Sequence, residues 1–246
     1  MQVDKYICSA KQSIKEIATA FDLKYDESWF KLMFISKKDE ILLEFIGTCP
    51  DEIYMKYGKT AISRIKKVNE FINSSDFQKC IKRYGGQVVL KNELLKEKNW
   101  YSKIKNKTLR NNMLSLHEKI KKELGDSDHL ALLTKTEKKE EQEFVMKNIL
   151  KHEWLHIILI KNNIYFQNIK KSYWKYDEGL VAYFDAMLDN RLAELEITAR
   201  RVKTKYEKTS FKAACKFKAI LKNKNTPQQR KKAILNFYQK LSKQNT

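Results

Sequence analysis

The sequence predicts an α+β chain, mostly helical, built around a small mixed sheet. Three observations carry this. Six glycines and two prolines in 246 residues leave few places to bend, so long helices are expected. Apolar residues recur at three- and four-residue spacing over most of the chain, the period of a helix with one buried face. Short apolar runs interrupt that period in four places, enough for a sheet of a few strands.

In order along the chain, residues 5 to 21 put Ile7, Ile14, Ile17, Ala18 and Phe21 on one face of a first helix. Strand-like runs follow at Trp29 to Ile35 and Ile41 to Ile46, the second closed by Gly47 and Cys49-Pro50. Residues 51 to 83 return to helical spacing. Val88-Val89-Leu90, opened by Gly85-Gly86, reads as a third strand, and residues 93 to 124 as a basic helix ended by Gly125. His129 to Leu133 is short and apolar, a candidate strand at the sheet edge.

Thr134, with Glu137 three residues on, forms a capping box that predicts a helix from about residue 135 to Lys161, stopped by Asn162-Asn163. Asp177 reads as the N-cap of a next helix running through Leu180, Phe184, Leu188, Leu192 and Leu195. Thr226-Pro227-Gln228-Gln229 is a further capping box with proline at the first helical position. It opens a helix striped by Ile234, Phe237, Tyr238 and Leu241.

The net charge of +20 is unevenly spread. From Arg200 to Thr246 there are 15 Lys or Arg against one acid, Glu207, so +14 lies in that region. The chain as a whole holds 43 Lys and 7 Arg, whereas phosphate recognition by a planar fork favours Arg. A solvated helical face with weak nucleic-acid or polyanion affinity is therefore expected of residues 200 to 246. Cys8, Cys49, Cys80 and Cys215 are scattered, which speaks against a zinc ribbon or a disulfide framework and for reduced, buried thiols. The first residues lack an apolar signal core, and no run approaches the roughly 18 apolar residues of a membrane span. A cytoplasmic protein is expected, with no membrane partner.

Residues 151 to 156 read Lys-His-Glu-Trp-Leu-His and hold two of the four histidines. Four residues apart on a helix, His152 and His156 stand on one face, a turn apart, and both can turn a ring nitrogen to one ion. Zinc bonds histidine nitrogen at about 2.0–2.1 Å, and a catalytic site takes three protein ligands and leaves the fourth position to water. Glu153 lies about 100° further round the helix, where its carboxylate can serve that water as general base. Two core histidines on an apolar helix are the plainer reading of the pentapeptide alone. A third ligand decides, and no histidine follows residue 156. It is a downstream carboxylate, or His117 or His129 from upstream. Glu178, within Trp174 to Tyr183 (WKYDEGLVAY), falls in the first turn of the next predicted helix, and Gly179 would let that helix approach the first closely.

His152 to His156 followed 22 positions later by Glu178, in an Asp-Glu-Gly-Leu-Val-Ala-Tyr run, resembles the gluzincin zinc metallopeptidases over roughly residues 129 to 195. The resemblance implies a zincin-like core of small mixed sheet, motif helix and glutamate helix. It implies Zn2+ held by His152, His156 and Glu178, with Glu153 as general base and proton shuttle. It further implies that Leu130 to Leu133 is an edge strand pairing with an extended peptide or protein substrate. On this reading residues 1–128 are a scaffold, 129–199 the catalytic core and 200–246 a basic helical region. Some relatives carry an aspartate four residues after the ligand glutamate to orient a histidine; here that position is Ala182, and Asp185, seven on and on the same face, is the candidate. Tyr173, Tyr176 and Tyr183 are candidates for an oxyanion donor, each expected more strongly as a packing aromatic. The competing function is a non-catalytic helical zinc-site protein that binds nucleic acid or another polyanion through its basic region.

Overall fold

The structure is a computed structural model that describes residues 3–37, 39, 43, 86–91, 107–164, 174–202 and 204–243. Over these residues the chain is α+β and mostly helical, with a three-stranded mixed sheet. Its contacts group it into two compact units, Ser28–Leu150 and Gln2–Glu27 with Lys151–Thr246. The chain's first helix therefore belongs to the same unit as the basic C-terminal region.

In the unit Ser28–Leu150, β1 (Leu32–Ile35) lies parallel to β3 (His129–Thr134) and β2 (Gly86–Leu90) antiparallel to it, in the order β1-β3-β2. Leu32 is opposite Ala131, and Val88 is opposite the same residue on the other side. β3 is thus the central strand, and all six of its residues are buried. This corrects the expectation of an edge strand at Leu130 to Leu133: both its ladders are occupied, so its backbone has no free side to offer a peptide. His-Leu-Ala-Leu-Leu lacks polar alternation because both faces of the strand are covered. α2 (Lys107–Leu124) packs Met113, Leu116, His117, Ile120 and Leu124 inward, and ends at Gly125 with φ +54°, a conformation that favours glycine. Leu43, from the expected strand Ile41 to Ile46, is helical; the rest of that strand and the expected helix over 51–83 lie outside the described residues.

The helix after β3 starts later than its capping box predicts. Thr134 still belongs to β3, and the Lys135 amide bonds the Ile35 carbonyl at 2.8 Å, so the sheet claims the backbone that a cap would need. α3 (Lys139–Phe144) begins after Lys138, without a side-chain cap. A π-helical turn, Val145–Ile149, leads into α4 (Leu150–Lys161). Such single π turns often accompany functional residues.

In the second unit, α1 (Val3–Ala20) buries Ala10, Ile14, Ile17 and Ala18 and stops where Asp22 turns to φ 53°. α4 is apolar nearly all round, with Trp154, Leu155, Ile157, Ile158 and Leu159 fully buried, which suits a helix at the centre of its unit. It stops as expected, Asn163 adopting φ 56°. The Asn162 side chain accepts from the Lys24 amide at 2.7 Å and donates to the Lys24 carbonyl at 3.0 Å, fastening the end of α4 to the segment after α1.

α5 (Trp174–Leu188) includes Asp177 in its body, so Asp177 is not the N-cap. It is buried and accepts a hydrogen bond from Tyr238 at 3.0 Å. The helix expected to run on to Leu195 breaks at Asn190, φ 56°, before a 3-10 turn (Leu192–Glu194) and α6 (Leu195–Arg201). α7 (Lys205–Leu221) and α8 (Pro227–Lys243) complete the unit. The capping box of α8 forms as predicted: the Gln229 amide reaches Thr226 Oγ1 at 3.2 Å, and the Thr226 amide reaches Gln229 Oε1 at 3.3 Å. Ile234, Tyr238 and Leu241 are buried, and Phe237 packs on Phe217 and Tyr176. Gly179 faces α7, not α4. A Cβ there would stand 2.4 Å from the Ala213 Cβ, so this glycine admits the C-terminal helix rather than the motif helix. Cys8 and Cys215 are free thiols, and Cys8 is exposed rather than buried.

Candidate metal centre

α4 supplies two adjacent turns and α5 one facing carboxylate. His152 and His156 have ring centroids 5.0 Å apart at 74°, as the four-residue helical spacing requires. Glu178 reaches both: Oε2 is 3.5 Å from His152 Nε2, and Oε1 is 3.5 Å from His156 Nε2. One ligand atom from each residue lies within 4.8 Å of the others. His117 and His129, the upstream alternatives for a third ligand, are buried in the other unit, on α2 and at the start of β3.

The spacing is longer than that of a direct hydrogen bond. Charge-assisted N–H···O bonds settle at about 2.7–2.9 Å. Two donors on a tetrahedral zinc with bonds of about 2.0–2.2 Å stand roughly 3.3–3.5 Å apart. Each 3.5 Å separation is longer than the first and compatible with the second, but the two run to different oxygens of Glu178, and the three donors as a set lie within 4.8 Å of one another. Nitrogen and carboxylate donors are also a set that zinc accepts.

Behind His152 stands Asp185. Its Oδ2 accepts from His152 Nδ1 at 2.9 Å, which turns Nε2 toward Glu178. A histidine that donates one ring N–H to a carboxylate is oriented and made more basic as a ligand. Asp185 itself is held from the far side: Lys151 Nζ is 3.5 Å from its Oδ1 and 3.0 Å from Asp189 Oδ1. Arg191 closes the series on Asp189 Oδ2 at 2.6 Å. Burial raises the Asp189 pKa, but Lys151 and Arg191 outweigh it and hold the carboxyl below its usual range.

The two imidazoles titrate apart. Burial lowers the pKa of His152, but its bonds and charge attraction to Asp185 and Glu178 prevail and place it well above the usual 6.5. Burial dominates at His156 and, with the charge of His152 against Glu178 in its favour, leaves it at about 4. His152 is thus the more basic of the two rings.

No family model, curated protein or solved structure matches the chain.

Glu153, next to His152, is 6 % exposed. Tyr183 is a core aromatic, 6.5 Å edge-on from Phe21, with its phenol pKa raised by burial. Tyr176 packs on Phe237 with Lys175 and Lys216 over its ring. Tyr173 lies outside the described residues. Sequence reasoning missed Lys151, Asp189 and Arg191. The available signal was an opposite-charge match: Lys151 leads the motif, and Asp185 and Asp189 are four residues apart, as on one helical face.

Proposed function

We propose that the chain is a zinc-dependent peptidase of gluzincin type, with His152, His156 and Glu178 as metal ligands and Glu153 as general base. The reading makes α4 the motif helix and α5 the glutamate helix of a zincin-like core. The observation that carries it is the convergence of the three donors within 4.8 Å of one another, with Asp185 accepting from His152 Nδ1 behind them. A helix that merely buried two histidines has no need of a carboxylate between them and another behind.

Bound zinc supplies a Lewis acid that acidifies a water and polarises the scissile carbonyl. The protein's residues divide the rest. Glu153 takes the proton of the attacking water and delivers it to the amine nitrogen as the carbon–nitrogen bond breaks. Its low exposure suits this task, because a carboxylate shielded from bulk water holds a proton at a defined place. Asp185 keeps the Nδ1 proton of His152, so that Nε2 presents its lone pair. Tyr183 and Tyr176 are committed to aromatic packing, so neither is assigned as an oxyanion donor. A peptide substrate must pair elsewhere than on β3.

The test is Glu153→Gln, assayed on a mixed peptide library by mass spectrometry with metal content in parallel. Cleavage falls by at least about a hundredfold, the low end of what a general base contributes, while zinc stays bound. Undiminished cleavage by the variant refutes the mechanism. No helix among the described residues is long and apolar enough to cross a membrane.

A further inference from the structure

Lys151 is a lysine where a lysine is costly. It is 9 % exposed, on a helix whose next ten residues are mostly buried hydrocarbon. Long cationic side chains usually carry the ammonium out to water. This one turns to α5, with Nζ 3.0 Å from Asp189 Oδ1 and 3.5 Å from Asp185 Oδ1. The ammonium therefore lies between two carboxylates a helical turn apart, of which the nearer to the metal site is the one bonded to His152 at 2.9 Å.

We infer that Lys151 is a positioning residue of the metal site: it fixes the carboxylate of Asp185 and, through it, the ring of His152. The inference rests on the zinc reading above. Asp185 has one oxygen on the imidazole and the other, buried, facing Lys151. Oδ1 makes no hydrogen bond, so the charge of the ammonium 3.5 Å away is what holds that side of the carboxylate in place while Oδ2 stays on Nδ1. Without the ammonium, a buried oxygen loses its compensating charge, and the carboxylate turns to recover solvent or repels Asp189. The ring of His152, 28 % exposed at its side chain, then loses its fixed orientation. Asp189 anchors the ammonium from behind, and Arg191 anchors Asp189. The alternating charges of Arg191, Asp189, Lys151 and Asp185 run inward from the exposed guanidinium to the carboxylate that holds His152. Outer partners of metal-binding histidines are worth about 10- to 100-fold in affinity.

The experiment measures zinc affinity by chelator competition for the wild-type chain, Lys151→Met, Lys151→Arg, Asp185→Asn and Lys151→Met with Asp185→Asn, with thermal unfolding of each metal-free protein. Lys151→Met weakens zinc binding by about tenfold or more, Lys151→Arg recovers most of it, and the double variant is no weaker than Asp185→Asn alone. That pattern identifies action through Asp185, since a general loss of stability would add to the second substitution. Should Lys151→Met not fold, Asp189→Asn takes its place, because it loosens the same ammonium from the solvent side. Zinc affinity unchanged in Lys151→Met, or losses that add in the double variant, overturn the inference while leaving the metal site standing. Failure of the wild-type chain to bind zinc overturns both.

Discussion

Gly179→Ala gives the packing of the glutamate helix a numerical test. By helix propensity alone the change should help, since alanine in a helix interior is worth about 1 kcal/mol over glycine. The structure predicts the opposite. The new Cβ would sit 2.4 Å from the Ala213 Cβ and 3.0 Å from both the Ala213 carbonyl carbon and the Ala214 amide nitrogen. Carbon atoms pack best at about 3.5–4.0 Å, so α5 and α7 must part by roughly 1 Å or more. The atoms struck belong to backbone and Cβ and cannot rotate aside. Overpacking of this kind costs about 1–3 kcal/mol, and the rigidity of the three nearest atoms argues for the upper end. After the propensity gain, a net loss of about 1–2 kcal/mol remains. In a chain of this size that lowers Tm by roughly 2–8 °C, read by circular dichroism on metal-free protein. Adding Ala213→Gly removes the shortest contact and recovers part of the loss. A Tm equal to or above that of the wild type would refute the reasoning, and with it the placement of α5 against α7.

Three further outcomes follow from the geometry. At pH 5.5, two ordinary histidines with pKa near 6.5 would release nearly two protons on binding zinc; with His156 at about 4 and His152 held well above 6.5, about one is released, measured by calorimetry in buffers of different ionisation enthalpy. Tyr238→Phe deletes the hydroxyl bonded to buried Asp177 and costs about 1–3 kcal/mol, read as a shift in the denaturant midpoint. Thr226→Ala removes the cap of α8 and costs about 0.5–2 kcal/mol by the same measurement; no shift would mean that the capping box contributes nothing.

What could be read from the sequence was what depends on local spacing. The four-residue interval between His152 and His156 fixes their shared face, and the seven-residue interval from Glu178 to Asp185 puts both on the side of α5 that meets them. The caps at Thr226 and the stop at Asn163 are likewise local. What could not be read depends on distant partners. Thr134 has the letters of a cap, yet β3 continues through it because β1, about a hundred residues earlier, pairs with it. Asp177 looked like a cap because its partner, Tyr238, is 61 residues away. Gly179 signalled a close approach without naming the helix that approaches. Lys151 looked like one more lysine in a lysine-rich chain, and only the fold turns it to Asp185.

The central claim is that His152, His156 and Glu178 hold one metal ion between them, and its most direct test is metal content of purified protein by elemental mass spectrometry beside Glu178→Ala. The account predicts about one zinc per wild-type chain, with a strong loss in the variant while the helical circular dichroism signal is kept. Well-folded wild-type protein that takes up no zinc even when it is supplied, or a Glu178→Ala variant that binds it as tightly, would contradict the account.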